Sequence, residues 1–354
     1  MKIILPASIL LAALALLLPV AFSDRAADGV SEPNNPGEFS EPPSDTADAP
    51  LVYRMHGGDT LSAPDNAADA NISIRLYDDG KTQTLTLRDY LIGVVAAEMP
   101  AGFEPEALKA QAAAARTYTY YRVNHLVSDG VHPDADTCSD PSHCKAWLSD
   151  DELHNKWGAG YDANISKITD AVDSTDGMLV MFDGEPILAV FHSSSGGNTE
   201  DSANVWSKQL PYLRSVDSPE TAETVPGFVT AVTLTTSDFK RTALDAHPEM
   251  SLEGSASDWF RNMKRSNAGR IISLSLGGVT VTGTELRLMF GLRSANVTWL
   301  IADGSVTFNV VGYGHGVGLS QYGANELAKQ GMNYKDILLY YYRGSDVRPL
   351  SVSG

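Results

Sequence analysis

The strongest local signals in this sequence lie in LIGVVAAEMPAGFEPEALKAQAAAARTYTYY, which runs from Leu91 to Tyr121. One carboxylate stands out in it, because Glu98 follows the apolar run Leu91–Ala97 and precedes Met99-Pro100. Desolvation disfavours the charged form of a carboxyl, and a carboxyl that keeps its proton near neutral pH suits general acid catalysis. A surface glutamate at the end of a helix is the alternative, and position alone does not exclude it.

The residues after Glu98 predict a helix that begins at a proline. Pro105 and Glu106 suit a first helical turn, and Ala107–Arg116 is rich in strong helix formers. An apolar seam would pack this helix inward and fix the segment that carries Glu98. The seam consists of Leu108, Ala112 and Ala115.

Length and composition indicate a large folded protein with excess negative charge. The chain has 354 residues, of which 43% are hydrophobic, enough for a large core. Its 44 acidic and 26 basic residues give a net charge of −18. This balance argues against nucleic acid or anionic lipid as the main partner, because both are negatively charged. A carbohydrate partner stays open, since sugars are bound by local hydrogen bonds and stacking.

The N-terminus predicts a segment that directs the chain out of the cytoplasm. Lys2 precedes Ile3–Phe22, an uncharged and largely apolar run that is long enough to span a bilayer. Because Ala21-Phe22-Ser23 also fits a cleavage site, residues 1–23 are either a membrane anchor or a cleaved signal peptide. Residues 24–50 are rich in Pro, Asp, Glu, Ser and Ala, which predicts a flexible stalk.

Hairpin turns and apolar periodicity predict the elements that surround the opening stretch. Asp79-Gly80 and Asp183-Gly184 each mark a turn between two strands. The predicted strands are Ile72–Tyr77, Gln83–Leu87, Met178–Phe182 and Pro186–Phe191, and the predicted helices are Ile165–Thr175, Gln321–Gln330 and Tyr334–Tyr342.

The pattern over residues 227–309 predicts a second lobe that is rich in strands. No residue in it suggests chemistry, and it would cover one side of a long groove. Its predicted strands are Phe228–Leu234, Ile271–Leu276, Val279–Thr282, Trp299–Ala302 and Ser305–Val310, and its predicted helices are Thr236–Ala246 and Thr284–Phe290.

Both cysteines of the chain lie in the loop-like window Val131–Trp147, together with two of the eight histidines. The set Cys138, Cys144, His132 and His143 has the composition of a tetrahedral zinc site. A Cys138–Cys144 disulfide, which an exported protein permits, is one alternative, and a loop with free thiols is another. Spacing alone does not decide between zinc and a disulfide. Four protein ligands leave no position for a catalytic water, so zinc here would be structural.

A polar run, HSSSGG at residues 192–197, follows the predicted strand Pro186–Phe191. Isolated runs of this kind are usually flexible turns. A nucleophilic serine activated by His192 is disfavoured, because the G-x-S-x-G elbow is absent. Further along, Trp206 either stacks on a sugar ring or packs in the core.

A glycine-rich block at Gly312–Gly323 stands between a predicted strand and a predicted helix. This order is typical of nucleotide-binding modules, but the glycines recur at every second residue, and neither G-x-G-x-x-G nor a P-loop lysine is present. The glycines more readily let the backbone approach a bulky ligand or lie close under Glu98. His315 is either a buried, hydrogen-bonded histidine or part of a polar set for sugar hydroxyls or N-acetyl groups. The rest of that set is Ser320, Gln321 and Tyr322.

Three blocks in one order resemble the signatures of the stage II sporulation protein D family. They are VVAAEMP…EALKAQAAAARTY around Glu98, VFHSSSGG at Val190–Gly197, and VGYGHGVGLSQYGA at Val311–Ala324. The similarity runs from about Leu85 to about Arg343. Three ordered blocks are far more specific than any one of them.

The resemblance implies a membrane-anchored lytic transglycosylase that cuts peptidoglycan glycan strands during engulfment in endospore formation. It places the catalytic acid on Glu98, and it favours a retained anchor, hence a single-pass protein of the cell membrane. It also implies that the second block lines the active cleft. The residues assigned to substrate binding are Arg116, His192, Ser194, Ser195, His315, Ser320, Gln321 and Tyr322.

The resemblance also bears on the metal and the partners. Some members bind zinc through two His and two Cys in an insertion at the place of Val131–Trp147, which favours zinc over the disulfide. Other members lack these ligands, so the zinc would be structural. The implied partners are glycan strands, a peptidoglycan amidase that strips stem peptides, and other membrane proteins of the engulfment complex, with no nucleic acid.

A single carboxylate agrees with the implied activity. A hydrolase would need a second carboxylate, and none stands out in the matching blocks. In a lytic transglycosylase, Glu98 protonates the glycosidic oxygen, and the muramic acid's own C6 hydroxyl then forms a 1,6-anhydro end. Two alternatives remain. One is a non-catalytic, glycan-binding modifier of an amidase, and the other is an exported zinc hydrolase, which would need an open metal position.

These predictions combine into an α+β fold with two lobes around a substrate groove. Residues 51–226 together with 310–354 would form a mixed α/β catalytic core. Residues 227–309 would form the second lobe.

Overall fold

The computed structural model of the protein describes residues 69–125, 134–206 and 208–349. They form an α+β fold, as predicted. The helices are α1 (Leu87–Glu98), α2 (Pro105–His125), α3 (Asp150–Trp157), α4 (Tyr161–Asp173), α5 (Ser202–Trp206), α6 (Thr236–Ala246), α7 (Gly283–Met289), α8 (Gln321–Lys329) and α9 (Tyr334–Tyr341). The strands are β1 (Ser73–Asp78), β2 (Lys81–Thr86), β3 (Thr137–Cys138), β4 (Met178–Phe182), β5 (Glu185–Pro186), β6 (Phe191–His192), β7 (Val229–Thr235), β8 (Phe260–Arg265), β9 (Ile271–Leu276), β10 (Val279–Thr282), β11 (Val297–Ala302), β12 (Ser305–Val311), β13 (Leu319–Ser320) and β14 (Asp346–Pro349).

Three predictions fall outside these ranges. The anchor or signal at residues 1–23, the stalk at residues 24–50 and the candidate ligand His132 are not among the described residues. In the part of the chain that is described, no helix is both long enough and apolar enough to cross a membrane.

Helix α2 lies at the centre of the first hydrophobic core. The helix predicted from Pro105 is confirmed, and it extends further than predicted, to His125. Its alanines are buried on every side, because α1, α4, α8, α9 and β4 all pack around it. Alanine side chains are small enough to let these neighbours approach closely. The predicted seam is buried, with Leu108, Ala112 and Ala115 each at most 1% exposed.

Helix α1 carries Glu98 as its last residue. The helix begins after Thr86, whose side-chain oxygen accepts a hydrogen bond from the Asp89 N–H at 3.0 Å. The preceding strand therefore ends at Thr86, earlier than predicted. The helix ends because Met99 is extended, with φ −129° and ψ 138°, a conformation favoured before a proline.

The C-terminal segment completes sheets that the middle of the chain begins. Strand β13 pairs in parallel with β6, which sets Ser320 beside His192. Strand β14 pairs antiparallel with β4, and β5 forms the other edge of that sheet. The second and third signature blocks therefore lie side by side.

A second hydrophobic cluster is built from residues 239–310, whereas the first draws on residues 72–216 and 317–342. Sheets β10-β9-β8 and β11-β12-β7 supply much of the second cluster. Phe239 stacks on Phe290 and Trp259, with ring centres 4.5 and 5.4 Å apart. That these clusters form two lobes around a groove stays a prediction.

Some elements differ from the sequence patterns. The predicted strand Pro186–Phe191 is interrupted, because its two ends pair with different strands, β4 and β13. Strand β8 was not predicted, since its residues FRNMKR are largely exposed and show no apolar alternation. Helix α3 was also missed, although Ser149 and Glu152 form a capping box that marks its start.

Candidate functional site

Glu98 is a buried carboxyl group, with 1% of its surface exposed. Its Oε1 accepts a hydrogen bond from the backbone N–H of Ala146 at 3.1 Å. Burial and the negative end of the α1 dipole both disfavour a charge on this group. The Ala146 N–H favours that charge and fixes the direction of the carboxyl. The surroundings therefore suit a group that both gives and takes a proton.

The loop that holds Glu98 also carries the cysteines. Cys138, His143 and Cys144 bring their ligand atoms within 4.8 Å of one another. The Nδ1 of His143 lies 3.5 Å from the Sγ of Cys138 and 3.2 Å from the Sγ of Cys144. Zinc bonds of about 2.3 Å to sulfur and 2.1 Å to nitrogen would separate tetrahedral ligands by about 3.6 Å. These three residues therefore fit one metal ion.

The two thiols are buried and not joined to each other. The hydrogen bond with Cys144, followed by burial, raises the pKa of the Cys138 thiol. In the protein without metal, Cys138 therefore keeps its proton, and metal binding would have to displace it. The chemistry of the donor set fits zinc, with two sulfurs and one imidazole nitrogen.

Lys145 is a buried cation that the sequence patterns did not indicate. It lies between Ala146 and the metal loop, which is the segment Cys138–Cys144. Its Nζ lies 3.9 Å from the ring centre of Phe191 and 4.3 Å from that of Tyr118. Such cation–π contacts are strongest where water is excluded, and Lys145 is 2% exposed. The loop therefore contacts Glu98 through Ala146 and strand β6 through Lys145.

The second and third signature blocks are joined through their backbones. The N–H of Ser194 donates to the carbonyl of Tyr313 at 3.1 Å, and the N–H of Tyr313 donates back at 2.8 Å. Gly312 permits this contact, because its φ is +77° and a Cβ there would lie 2.7 Å from the Ser194 carbonyl oxygen. Gly312 therefore serves the close approach of the two blocks.

Glu220, outside the three blocks, anchors two of the predicted serines. Its Oε1 accepts hydrogen bonds from the Ser195 hydroxyl at 2.6 Å, the Ser195 N–H at 2.7 Å and the Ser320 hydroxyl at 2.6 Å. Both serines are fully buried. Their hydroxyl protons are committed to Glu220, so their observed role is to hold the loops together.

Arg270 links the second hydrophobic cluster to the same loops. Its guanidinium donates to the carbonyl of Gly314 at 2.8 Å and to that of Ser195 at 3.1 Å. Nearby, the Ser266 hydroxyl donates to Glu200. The pattern of the sequence contains no signal for these contacts, because their members lie 44 to 75 residues apart.

Two buried imidazoles lie where these loops meet. The ring centres of His192 and His315 are 5.6 Å apart, and the half-buried ring of Trp206 lies 5.1 Å from that of His315. Burial lowers the pKa of both imidazoles well below their usual range, and the charge of Arg270 adds to this effect at His192. Both rings are therefore neutral at physiological pH.

The start of α8 connects the third block to the segment after Glu98. The ring of Tyr322 packs edge-on against Phe103, with centres 4.9 Å apart. The Nε2 of Gln321 donates to Oε1 of Gln111 on α2 at 3.4 Å. The structure thus brings together all the residues assigned to substrate binding except one.

Arg116 is the exception, and its assignment to substrate binding needs correction. Its side chain is 0% exposed and forms an ion pair with Asp69, with Nη2 2.6 Å from Oδ2. The same guanidinium donates to the side chain of Thr175 and the carbonyls of Val172 and Met178. These contacts lie inside the first core, so Arg116 ties helix α2 to its neighbours and does not face a ligand.

Gly318 provides a test of how tightly these loops are packed. Gly318→Ala is expected to lower the free energy of unfolding by about 2 to 3 kcal/mol, because φ is +73° and the new Cβ would clash with the Val190 carbonyl. That carbonyl also accepts from Tyr342 Oη at 2.9 Å, so it cannot move freely. Urea denaturation measures the loss.

Gly331→Ala is the matched control for this change. Gly331 also has a positive φ, +93°, but a Cβ there would meet nothing within 4 Å. Gly331→Ala should lower the free energy of unfolding by about 1 kcal/mol, from backbone strain alone. Equal costs at the two glycines would contradict the close packing at Gly318.

Comparison with known proteins places the chain in a family. The model of the stage II sporulation protein family matches residues 78–182. Stage II sporulation protein D of Bacillus subtilis (strain 168) is 36% identical over 296 residues, which cover 82% of this chain and 81% of that protein. The protein of the same name from Bacillus amyloliquefaciens is 33% identical over 294 residues, 82% of each chain. An amidase enhancer of Bacillus subtilis (strain 168) is 28% identical over 306 residues, 72% of this chain and 40% of the enhancer. The two sporulation proteins match most of both chains, and the resemblance of the three blocks is thereby confirmed: the chain belongs to the stage II sporulation protein D family.

Proposed function

We propose that this protein is a lytic transglycosylase that cleaves the bond between N-acetylmuramic acid and N-acetylglucosamine in peptidoglycan strands. The observation that carries the proposal is Glu98, a buried carboxyl at the end of α1 that the backbone of Ala146 orients. The loops that carry most of the residues assigned to substrate binding meet nearby, through β6 and Lys145. Membership of a sporulation family supports a role in engulfment during endospore formation.

The proposed reaction uses Glu98 twice. Its carboxyl proton passes to the glycosidic oxygen, the bond from that oxygen to C1 of the muramic acid breaks, and positive charge develops at C1. The C6 hydroxyl oxygen of the same sugar then bonds to C1, and its proton passes to the Glu98 carboxylate. The enzyme is restored, and the product carries a 1,6-anhydro end.

Two other buried carboxylates, Glu200 and Glu220, lie near these loops, and each accepts hydrogen bonds that hold the structure. Glu220 holds Ser195 and Ser320 through its Oε1. Glu200 accepts from the Asp201 N–H at 2.9 Å and the Asn204 side chain at 2.8 Å, and its other oxygen accepts from Ser266. A hydrolase would need a carboxylate available as nucleophile or base. Both oxygens of Glu200 and the Oε1 of Glu220 accept hydrogen bonds that hold the structure, whereas the buried Oε2 of Glu220 has no hydrogen-bond partner within the described residues.

Product analysis tests the proposal. The chain from Leu51 onward is incubated with glycan strands freed of stem peptides, and the fragments are analysed by mass spectrometry. We expect 1,6-anhydro-muramic ends. Reducing ends without the anhydro bridge would mean hydrolysis and would overturn the transglycosylase assignment.

A second candidate is a non-catalytic, glycan-binding modifier of a peptidoglycan amidase. It is favoured by the similarity to a protein named amidase enhancer, at 28% identity. Retained glycan binding without any cleavage would support this candidate. In either case an amidase is the expected partner, together with membrane proteins of the engulfment complex. The proposed location is the cell membrane, with residues 1–23 as a single anchor and the C-terminal part outside the cytoplasm.

We also propose that the metal loop holds a structural zinc ion. Cys138, His143 and Cys144 would supply three ligands, and His132 is the candidate for the fourth. A bound ion would cross-link the loop, and Ala146, whose N–H holds Glu98, lies two residues after Cys144. With four protein ligands the ion would have no open position, so a zinc hydrolase is not favoured.

The purified protein should contain about one zinc ion per chain. Cys138→Ser and Cys144→Ser should each lose it, whereas Ser142→Ala, in the same loop, should keep it. Metal content is measured by mass spectrometry of the hydrolysed protein, and a chelator should lower the melting temperature of the wild type and of Ser142→Ala but not of the two cysteine variants. A metal-free protein with no titratable thiol would instead show the Cys138–Cys144 disulfide.

A further inference from the structure

The backbone of one residue fixes the tautomers of both buried imidazoles. The Nδ1 of His192 lies 3.2 Å from the carbonyl oxygen of Val317. A carbonyl only accepts, so this nitrogen carries the proton. The Nδ1 of His315 receives the N–H of Val317 at 3.0 Å, so this nitrogen is bare and its Nε2 carries the proton.

The two rings therefore offer opposite hydrogen-bonding groups. Nε2 of His192 is an acceptor, and within the described residues it has no hydrogen-bond partner although it is fully buried. Nε2 of His315 is a donor. Burying an acceptor without a partner is costly, which points to a ligand that supplies the missing bond.

We infer that His192 and His315 form a donor–acceptor pair that binds one hydroxyl group of the glycan. This inference rests on the proposed function, because the carbohydrate nature of the ligand comes from it. A hydroxyl oxygen accepts one hydrogen bond and donates another, as this pair requires. Two imidazoles whose Nε2 atoms both bond one oxygen at about 2.8 Å have ring centres at most about 8 Å apart, because each nitrogen lies about 1.1 Å from its ring centre. The observed separation of 5.6 Å between the ring centres is within this limit.

Other ligand classes fit this pair less well. An anion has no proton to donate to the acceptor Nε2 of His192, although the positive charges of Arg270 and Arg287 act on both rings. A metal ion would need a lone pair from each ring, but the lone pair of His315 already accepts from Val317. The aromatic face of Trp206, 5.1 Å from His315, favours a sugar, whose C–H bonds pack on indole rings while its hydroxyls seek polar partners.

Asparagine variants test the pair without disturbing the bonds to Val317. In His192→Asn, the amide nitrogen replaces Nδ1 as donor to the Val317 carbonyl, and the acceptor Nε2 is lost. In His315→Asn, the amide oxygen replaces Nδ1 as acceptor, and the donor Nε2–H is lost. His154→Asn, at an exposed position on α3, is the matched control.

Binding is measured by calorimetry with a peptide-free hexasaccharide of alternating N-acetylglucosamine and N-acetylmuramic acid. All variants carry Glu98→Gln, so that no cleavage intervenes. We expect His192→Asn and His315→Asn each to weaken binding about tenfold, and His154→Asn to leave it unchanged. Because one hydroxyl bonds to both rings, the affinity of the double variant should fall by a much smaller factor than the product of the two single factors.

Three outcomes would overturn the inference, and they separate it from the proposed function. Unchanged affinity in both single variants would contradict the shared hydroxyl, and so would a loss of affinity in the double variant equal to the product of the two single losses. Neither result would contradict the transglycosylase proposal. No binding by the Glu98→Gln protein itself would count against both. Nitrogen-15 NMR of the unliganded protein gives a second readout, since His192 must show the Nδ1–H tautomer and His315 the Nε2–H tautomer.

Discussion

Glu98→Gln should reduce the rate of glycan cleavage about a thousandfold while leaving the fold intact. The glutamine keeps an oxygen that can accept from the Ala146 N–H, so the geometry at the end of α1 is preserved. It has no proton to give to the glycosidic oxygen, and it cannot take the proton of the C6 hydroxyl. Both halves of the proposed reaction therefore fail. The release of 1,6-anhydro ends per unit time measures the effect.

Glu104→Gln is the control for this substitution. Glu104 lies six residues further along and is exposed, and its backbone N–H, not its side chain, is bonded to Asn325. The same chemical change there should leave the rate unaltered. If Glu98→Gln cleaved as fast as the wild type, then another group would be the acid, and the role assigned to the α1 carboxyl would be wrong.

Asp69→Ala should lower the free energy of unfolding by about 3 to 5 kcal/mol. The carboxylate of Asp69 accepts three hydrogen bonds from Arg116, at 2.6 to 3.0 Å, and the pair is 0% and 3% exposed. Its removal leaves a guanidinium that cannot lose its charge inside the first core. The three remaining partners, Thr175 and two carbonyls, do not neutralise that charge.

Asp173→Ala breaks a pair with the same chemistry at the surface. Arg88 Nε lies 2.6 Å from Asp173 Oδ1, with 34% and 48% of the two side chains exposed. Water solvates Arg88 after the change, so the free energy of unfolding should fall by less than about 1 kcal/mol. Chemical denaturation compares the two variants. Similar losses would mean that the Asp69–Arg116 pair is solvated in the folded protein.

The parts of the fold that could be predicted are those specified locally. Helix α2 follows from a proline and a run of alanines, and α6 and β9 match their predicted bounds because their signals lie within the elements. Helix α3 also has a local signal, the capping box of Ser149 and Glu152, but it was not predicted.

The parts of the site that could not be predicted depend on residues far apart in the chain. Glu220 reaches Ser195 across 25 residues and Ser320 across 100, and Arg270 reaches Ser195 across 75. No periodicity marks such partners. Arg116 was misassigned for a related reason: a charged residue in a signature block suggests a ligand, but its carboxylate partner Asp69 lies 47 residues away. The burial of a side chain is a tertiary property, which a linear motif does not contain.

The parallel pairing of β6 with β13 has a consequence for the order in which the site forms during synthesis. Ribosomes deliver Glu98 and His192 long before Val317, Ser320 and strand β13. Until that last part of the chain arrives, Val317 cannot fix the tautomers of the imidazoles, and Glu220 is bonded to Ser195 but not to Ser320. Contacts over such sequence separations also close slowly. A chain interrupted before about Val311 would contain Glu98 and the second signature block but would lack the third block, whose strand β13 pairs with β6.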